Sequence, residues 1–205
     1  MPAHYVFEEG LALPALVAGH PALEFCNTLS GWDAPPGSDY LTSYDHLAVW
    51  AGHVKLMPRD HVDRSRTAAQ RQPRDAAGVL ERARRVRTDL YLVLTDERDR
   101  PAFDRLAGAV DTMTAQLRLH RQDDEIVRRI DPAAGLDAPL LAALWSTSEL
   151  LVSDDRKHVR TCPGHDCGWL FLDRTGRRRW CLMASCGNRA KVRRHAERVR
   201  RGSQR

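Results

Sequence analysis

Four cysteines, Cys162, Cys167, Cys181 and Cys186, stand as two C-x4-C pairs within twenty-five residues. The chain has one other cysteine, Cys26. Zn2+ takes four thiolates in a tetrahedron at about 2.3 Å, and short loops are how a chain brings such ligands around one ion. A centre closed by four protein ligands leaves no position for water, so it holds structure and performs no chemistry of its own. Two disulfides are the competing reading, and the spacing favours the metal.

The elements that must position these sulfurs can be read from the local sequence. Cys162-Pro163-Gly164-His165-Asp166-Cys167 makes one knuckle, and Trp169–Leu172 then reads as a strand. Arg174-Thr175-Gly176 turns the chain, Arg177–Trp180 returns it as a second strand to Cys181, and Cys186 opens a helix over Asn188–Val199. A knuckle, a hairpin and a second knuckle opening a helix make a treble-clef-like zinc finger. Gly168 and Gly187 each follow the second cysteine of a pair, where a missing Cβ would let a backbone N–H approach a thiolate. His165 lies between two ligands, but four thiolates already complete the tetrahedron.

Charge divides along the chain. From Thr161 to Arg205, twelve Arg and Lys against Asp166, Asp173 and Glu197 leave +9, so the preceding residues carry −4 of the formal net +5. A Zn(Cys)4 centre adds about −2 and leaves the segment strongly positive. Such a field attracts polyanions, of which DNA and RNA are the common cases. A basic tail that is merely solvated is the plainer alternative.

Upstream, the pattern is mainly helical. Ala22–Leu29 follows Pro21; a loop of Gly31, Asp33, Pro35, Pro36 and Gly37 ends it. Ser43 caps a helix running to about Met57, with Pro58 as its stop. Pro73–Arg98 is the longest periodic segment, with Arg82, Arg84, Arg85 and Arg87 read as a solvated face. Pro101–Gln116 is a further helix with Phe103, Leu106, Val110 and Met113 facing inward. Leu117–Arg121 and Ile126–Ile130 alternate around Gln122–Glu125 as a short β-hairpin, and Asp137–Val152 returns to helix. Lys157–Thr161 reads as a strand entering the zinc module. The expected fold is mainly α: a helical N-terminal domain with a small β-hairpin over residues 1–155, and the finger over 156–205. No run approaches the eighteen apolar residues of a spanning helix, and mean hydropathy is −0.49. Reduced thiolates without an export signal place the expected site of action in the cytoplasm, with no membrane partner.

Three stretches carry a resemblance. Cys167-Gly168-Trp169-Leu170-Phe171-Leu172-Asp173, Arg178-Arg179-Trp180-Cys181 and Cys186-Gly187-Asn188-Arg189-Ala190-Lys191 resemble the CGNR zinc finger. Gly19-His20-Pro21-Ala22-Leu23-Glu24-Phe25-Cys26-Asn27-Thr28 is similar to the opening of the ABATE domain that accompanies it. Together they cover essentially the whole chain and imply a bacterial stress-induced transcription regulator whose finger binds DNA.

On that reading the nucleic-acid contacts are expected from Arg174, Arg177, Arg178, Arg179, Asn188, Arg189, Lys191, Arg193 and Arg194. Arginine forks match both phosphate and guanine, and Asn188 either reads adenine or caps its helix. One finger makes few contacts, so a homodimer is expected. A small-molecule effector would use a pocket formed by His20, Glu24, Asn27, Thr28, Trp32 and Trp50. Trp and Tyr near loops are more often core edges. Cys26 reads as a small buried residue, and the turn Asp123-Asp124-Glu125 as solvated. No phosphate-cradling glycine loop, G-x-S-x-G or H-E-x-x-H is present, so no enzyme is expected. An RNA- or ribosome-associated zinc protein, or an adaptor docking an acidic protein, are the rival readings.

Overall fold

The computed structural model describes residues 5–32, 37–96, 98–122 and 124–202. Asp33, Pro35, Pro36, Asp123 and Arg205, used in the sequence reading, lie outside them.

The chain opens with strands β1 (Tyr5–Glu8) and β2 (Leu11–Pro14), paired antiparallel. Glu9 and Gly10 turn them, both at positive φ (51° and 80°), the geometry that matches strand twist in a two-residue hairpin. The sequence reading placed no strands here, because two four-residue segments give too little alternation to register. Helix α1 (Pro21–Cys26) starts where His20 Nδ1 accepts the Ala22 N–H at 3.2 Å and Pro21 occupies the first turn. Helix α2 (Tyr44–His53) is capped by Ser43, as expected, and ends four residues short of Met57. Helix α3 (Arg59–Arg71) was missed: its buried residues are only Val62, Ser65 and Ala69, too sparse for an apolar period.

Helix α4 (Pro73–Thr95) buries Ala76, Val79, Leu80, Ala83, Val86, Leu90 and Val93, the predicted face. Its basic side is not uniformly solvated. Arg87 is 3 % exposed and forks onto Asp39 with two bonds of 2.7 Å, adding Thr28 Oγ1 at 3.0 Å. Arg84 donates to the Leu41 carbonyl. Long-range carboxylate and carbonyl partners, invisible to periodicity, draw both inward. Helix α5 (Arg100–Thr114) buries Leu106 and Met113 but leaves Phe103 exposed. The hairpin of β3 (Leu117–Gln122) and β4 (Glu125–Ile130) follows in the expected place. Helix α6 (Ala138–Val152) is apolar nearly all round and accordingly sits at the centre, against α1, α2, α4 and α5. No helix among the described residues is long and apolar enough to cross a membrane.

Strands β5 (Val159–Thr161) and β6 (Leu170–Leu172) pair antiparallel, Thr161 opposite Leu170. The partner of β6 is therefore β5 upstream, and Arg177–Trp180 forms no strand. β6 has two apolar faces, since side chains alternate along a strand. Leu170 and Leu172 join the main helical core, while Trp169 and Phe171 pack with the four cysteines. The strand is thus a shared wall between the helical body and the cysteine cluster. The last helix, α7 (Asn188–Gly202), leaves this wall and packs chiefly on the helical turn Met183–Gly187.

Candidate zinc centre and nucleic-acid interface

The loop joining β5 to β6 carries the first pair of cysteines. Cys162 N–H donates to the Trp169 carbonyl at 2.8 Å, extending the ladder by one rung, and Cys167 N–H closes a tight turn onto Gly164 at 3.1 Å. Asp166 and Gly168 take positive φ (56° and 65°) to bring Cys167 back toward Cys162. Cys181 arrives at the end of an irregular loop, and Cys186 from the single wide turn Met183–Gly187 that leads into α7.

All four sulfurs lie within 4.8 Å of one another, and all four residues are buried. The Cys167–Cys181 and Cys181–Cys186 sulfur pairs are each 3.6 Å apart. That is far beyond a disulfide bond of about 2.05 Å and close to the edge, about 3.8 Å, of a tetrahedron with 2.3 Å metal–sulfur bonds. All five cysteines are free thiols, which sets aside the disulfide reading. The donor set and its spacing fit Zn2+, which Cys162, Cys167, Cys181 and Cys186 would hold as a structural ion. His165 is not among them; its Nδ1 meets Asp166 at the exposed rim.

The groups around the sulfurs differ from those expected. The Cys181 N–H points to Cys162 Sγ at 3.4 Å, and Arg189 donates to Cys186 Sγ at 3.1 Å. Hydrogen bonds from the other three thiols, and then from Arg189, hold the Cys186 thiol well below the usual range. Gly187 gives its N–H to the Leu182 carbonyl rather than to a thiolate. A Cβ there would meet Met183 Sδ at 2.4 Å, a contact that a shift of the half-exposed Met183 side chain would relieve. Gly164, not singled out from sequence, is the glycine that admits a sulfur, since a Cβ would lie 2.8 Å from Cys186 Sγ.

Among the N-terminal residues first considered for a ligand pocket, Asn27 belongs to the socket that receives β6. Asn27 grips Leu170 as a neighbouring strand would, Nδ2 donating to its carbonyl at 2.9 Å and Oδ1 accepting its N–H at 2.8 Å. Leu172 N–H donates to the Ala18 carbonyl, and Gly31 N–H to the Cys167 carbonyl. Trp169 Nε1 donates to Leu29, and the Tyr91 hydroxyl to Gly168. Trp32 stacks on Tyr91 with ring centres 3.8 Å apart. Thr28 donates to Phe25 and receives Arg87, Trp50 is packed on Phe25, and His20 caps α1. These side chains are spent on packing and on joining the finger to the body. Asn27→Ala leaves two buried backbone groups of Leu170 without partners, which costs about 2–5 kcal/mol. Thermal unfolding should show that loss at full zinc content; an unchanged midpoint would remove the clamp from the account.

Glu24 supports the same socket. Its Oε1 accepts the N–H groups of Ala18 (2.6 Å) and Gly19 (3.3 Å), while Oε2 is buried without a partner. Burial pushes its carboxyl up to about 7, against the opposing pull of these backbone N–H groups. A raised carboxyl favours the protonated folded form. Its contribution to stability is therefore complete below pH about 4.5 and lost as pH rises through about 7, a change of about 3 kcal/mol. Glu24→Gln keeps the acceptor and removes the titration, so the variant should gain on wild type between pH about 4.5 and about 7 and level off above that. Parallel pH profiles of the two melting temperatures would contradict this.

The basic residues fall into two groups. Arg174 is paired with Asp155 through bonds of 2.7 and 2.6 Å. Arg178 donates to the carbonyls of Val17 (2.5 Å), Trp180 and Cys181 and lies over the Phe171 ring. Both act as internal ties. Arg177, Arg179, Lys191, Arg193 and Arg194 are exposed, with Arg179 lying over Trp180. Arg189 is exposed but already engaged with Cys186. Asn188 donates to the Ala184 carbonyl at 3.1 Å and so binds α7 to the preceding turn.

Residues 158–199 match the family model described as CGNR zinc finger. Residues 19–154 match the ABATE model, whose description reads "Putative stress-induced transcription regulator". No curated protein matches the chain.

Proposed function

As the chain belongs to the ABATE family and ends in a CGNR zinc finger, we propose that it is a cytoplasmic transcription regulator that binds DNA through α7. The observation that carries this is the state of α7. The helix projects from the turn that carries Cys186, with Lys191, Arg193, Arg194 and Arg198 all exposed, and even Val192 is 69 % exposed. A cationic helix of fifteen residues is about 22 Å long and suits a major groove about 12 Å wide. Its like charges repel one another, and a phosphate backbone relieves that repulsion.

Arg177 and Arg179, on the loop before Cys181, are the other cations available for phosphate. Asn188 and Arg189 serve chiefly to seat α7, and Arg189 keeps further N–H groups for DNA. The helical body is proposed as the sensing part, and pairing of two copies would supply the contacts that one finger lacks.

Fluorescence anisotropy of labelled duplexes tests the reading. Wild-type protein should bind duplex DNA, and the Arg193→Ala/Arg194→Ala variant should bind every duplex more weakly while keeping its zinc. Equal binding by the variant would sink α7 as the contact surface, and tighter binding to duplex RNA than to DNA would redirect the proposal to RNA.

A further inference from the structure

A cavity of about 620 Å3 lies between α6, the connection from α2 to α3, and β4. Its size suits a small organic molecule. Leu56, Met57, Val127 and Ile130 supply apolar wall. Trp145 also lines it.

Lys55 stands at the same cavity with φ at +61°, in the left-handed region where glycine is the unstrained residue. The backbone there closes the end of α2, Lys55 N–H donating to the Gly52 carbonyl at 2.9 Å. Lys55 is exposed and brings a lysine side chain to an otherwise largely apolar lining. His61 and Glu149 also line the cavity.

We propose that this cavity is the ligand site of the helical body, and that its ligand is an apolar organic acid. The hydrocarbon or aromatic part would fill the apolar wall, and Lys55 would meet the negative charge. The inference deepens the sensing part of the function proposed above. It places that part away from the socket of Glu24, Asn27 and Thr28.

Two fluorescent probes of one ring system test it: 1-anilinonaphthalene-8-sulfonate, an anion, and N-phenyl-1-naphthylamine, its uncharged parent. The full-length zinc-loaded protein should bind both saturably at one per chain. Val127→Trp, at a half-buried hairpin position, should fill the cavity and abolish both. Lys55→Met, at an exposed site, should weaken the anion about five- to tenfold and leave the neutral probe unchanged. Circular dichroism and zinc content should match wild type in each variant. Absent saturable binding, or anion binding untouched in Lys55→Met, would overturn the proposal. Neither probe reading involves DNA. Failure of DNA binding would therefore leave this site standing, and failure here would leave the role of α7 untouched.

Discussion

Cys181→Ser protein should be recovered without zinc, with the turn Met183–Gly187 and α7 unfolded and the helical body intact. Cys181 lies centrally among the sulfurs, within 3.6 Å of both Cys167 and Cys186, and three remaining thiolates cannot close the tetrahedron. Metal binding supplies roughly 10–16 kcal/mol to modules of this kind. Little else could replace it, because α7 buries only Ala190 among its apolar residues and packs chiefly on the turn that carries Cys186. β5 and β6 should behave differently. Leu170 and Leu172 belong to the main core, and Asn27 and Ala18 hold the β6 backbone. Tryptic cleavage should therefore concentrate within residues 177–202 and stop short of β6, with metal content read by mass spectrometry. A zinc-free variant whose α7 resisted trypsin as well as wild type would show that metal is not what holds the finger.

Affinity for duplex DNA should fall steeply with salt, by about 10²–10³-fold between 50 and 200 mM. This follows if the finger neutralises roughly four to six phosphates, since each releases condensed counterions and the slope of log K against log salt is about −0.9 per contact. Replacing Arg193 and Arg194 by alanine should flatten the slope by up to about two units at every sequence alike. The internal ties supply the contrast. Arg178→Ala removes three carbonyl partners and a ring contact, so it should lower the melting temperature as well as weaken binding. Among the described residues Arg193 and Arg194 show no such long-range ties, and their removal should leave thermal stability near that of wild type. A slope near zero in wild-type protein would rule out phosphate as the source of the affinity.

The sequence by itself determined the four-cysteine cluster, the positive C-terminal segment and the family. Each of these is local: thiolate spacing, charge count and short motifs survive without any knowledge of the fold. It also carried the strongly periodic elements. α4, with seven inward apolar positions, α2 with its Ser43 cap, α6 and the β3–β4 hairpin all lie where the pattern puts them. α3 and β1–β2 did not show, because few of their residues are buried and burial is what imprints a period.

What tertiary structure alone decided is which partner each polar group finds. Asn27 meets Leu170 across 143 residues, Arg178 meets Val17 across 161, and Arg87 meets Asp39 across 48. Hydrogen bonds between residues so far apart leave no spacing signal, so nothing in the sequence marks Asn27 as a clamp on β6 or Arg178 as a tie between Val17 and the loop at Cys181. The same holds for Gly164, whose need for a missing side chain arises only when Cys186 arrives from the other knuckle. The cavity beside Lys55 and Trp145 is bounded by α6, the α2–α3 connection and β4, and it exists only once packing brings those segments together.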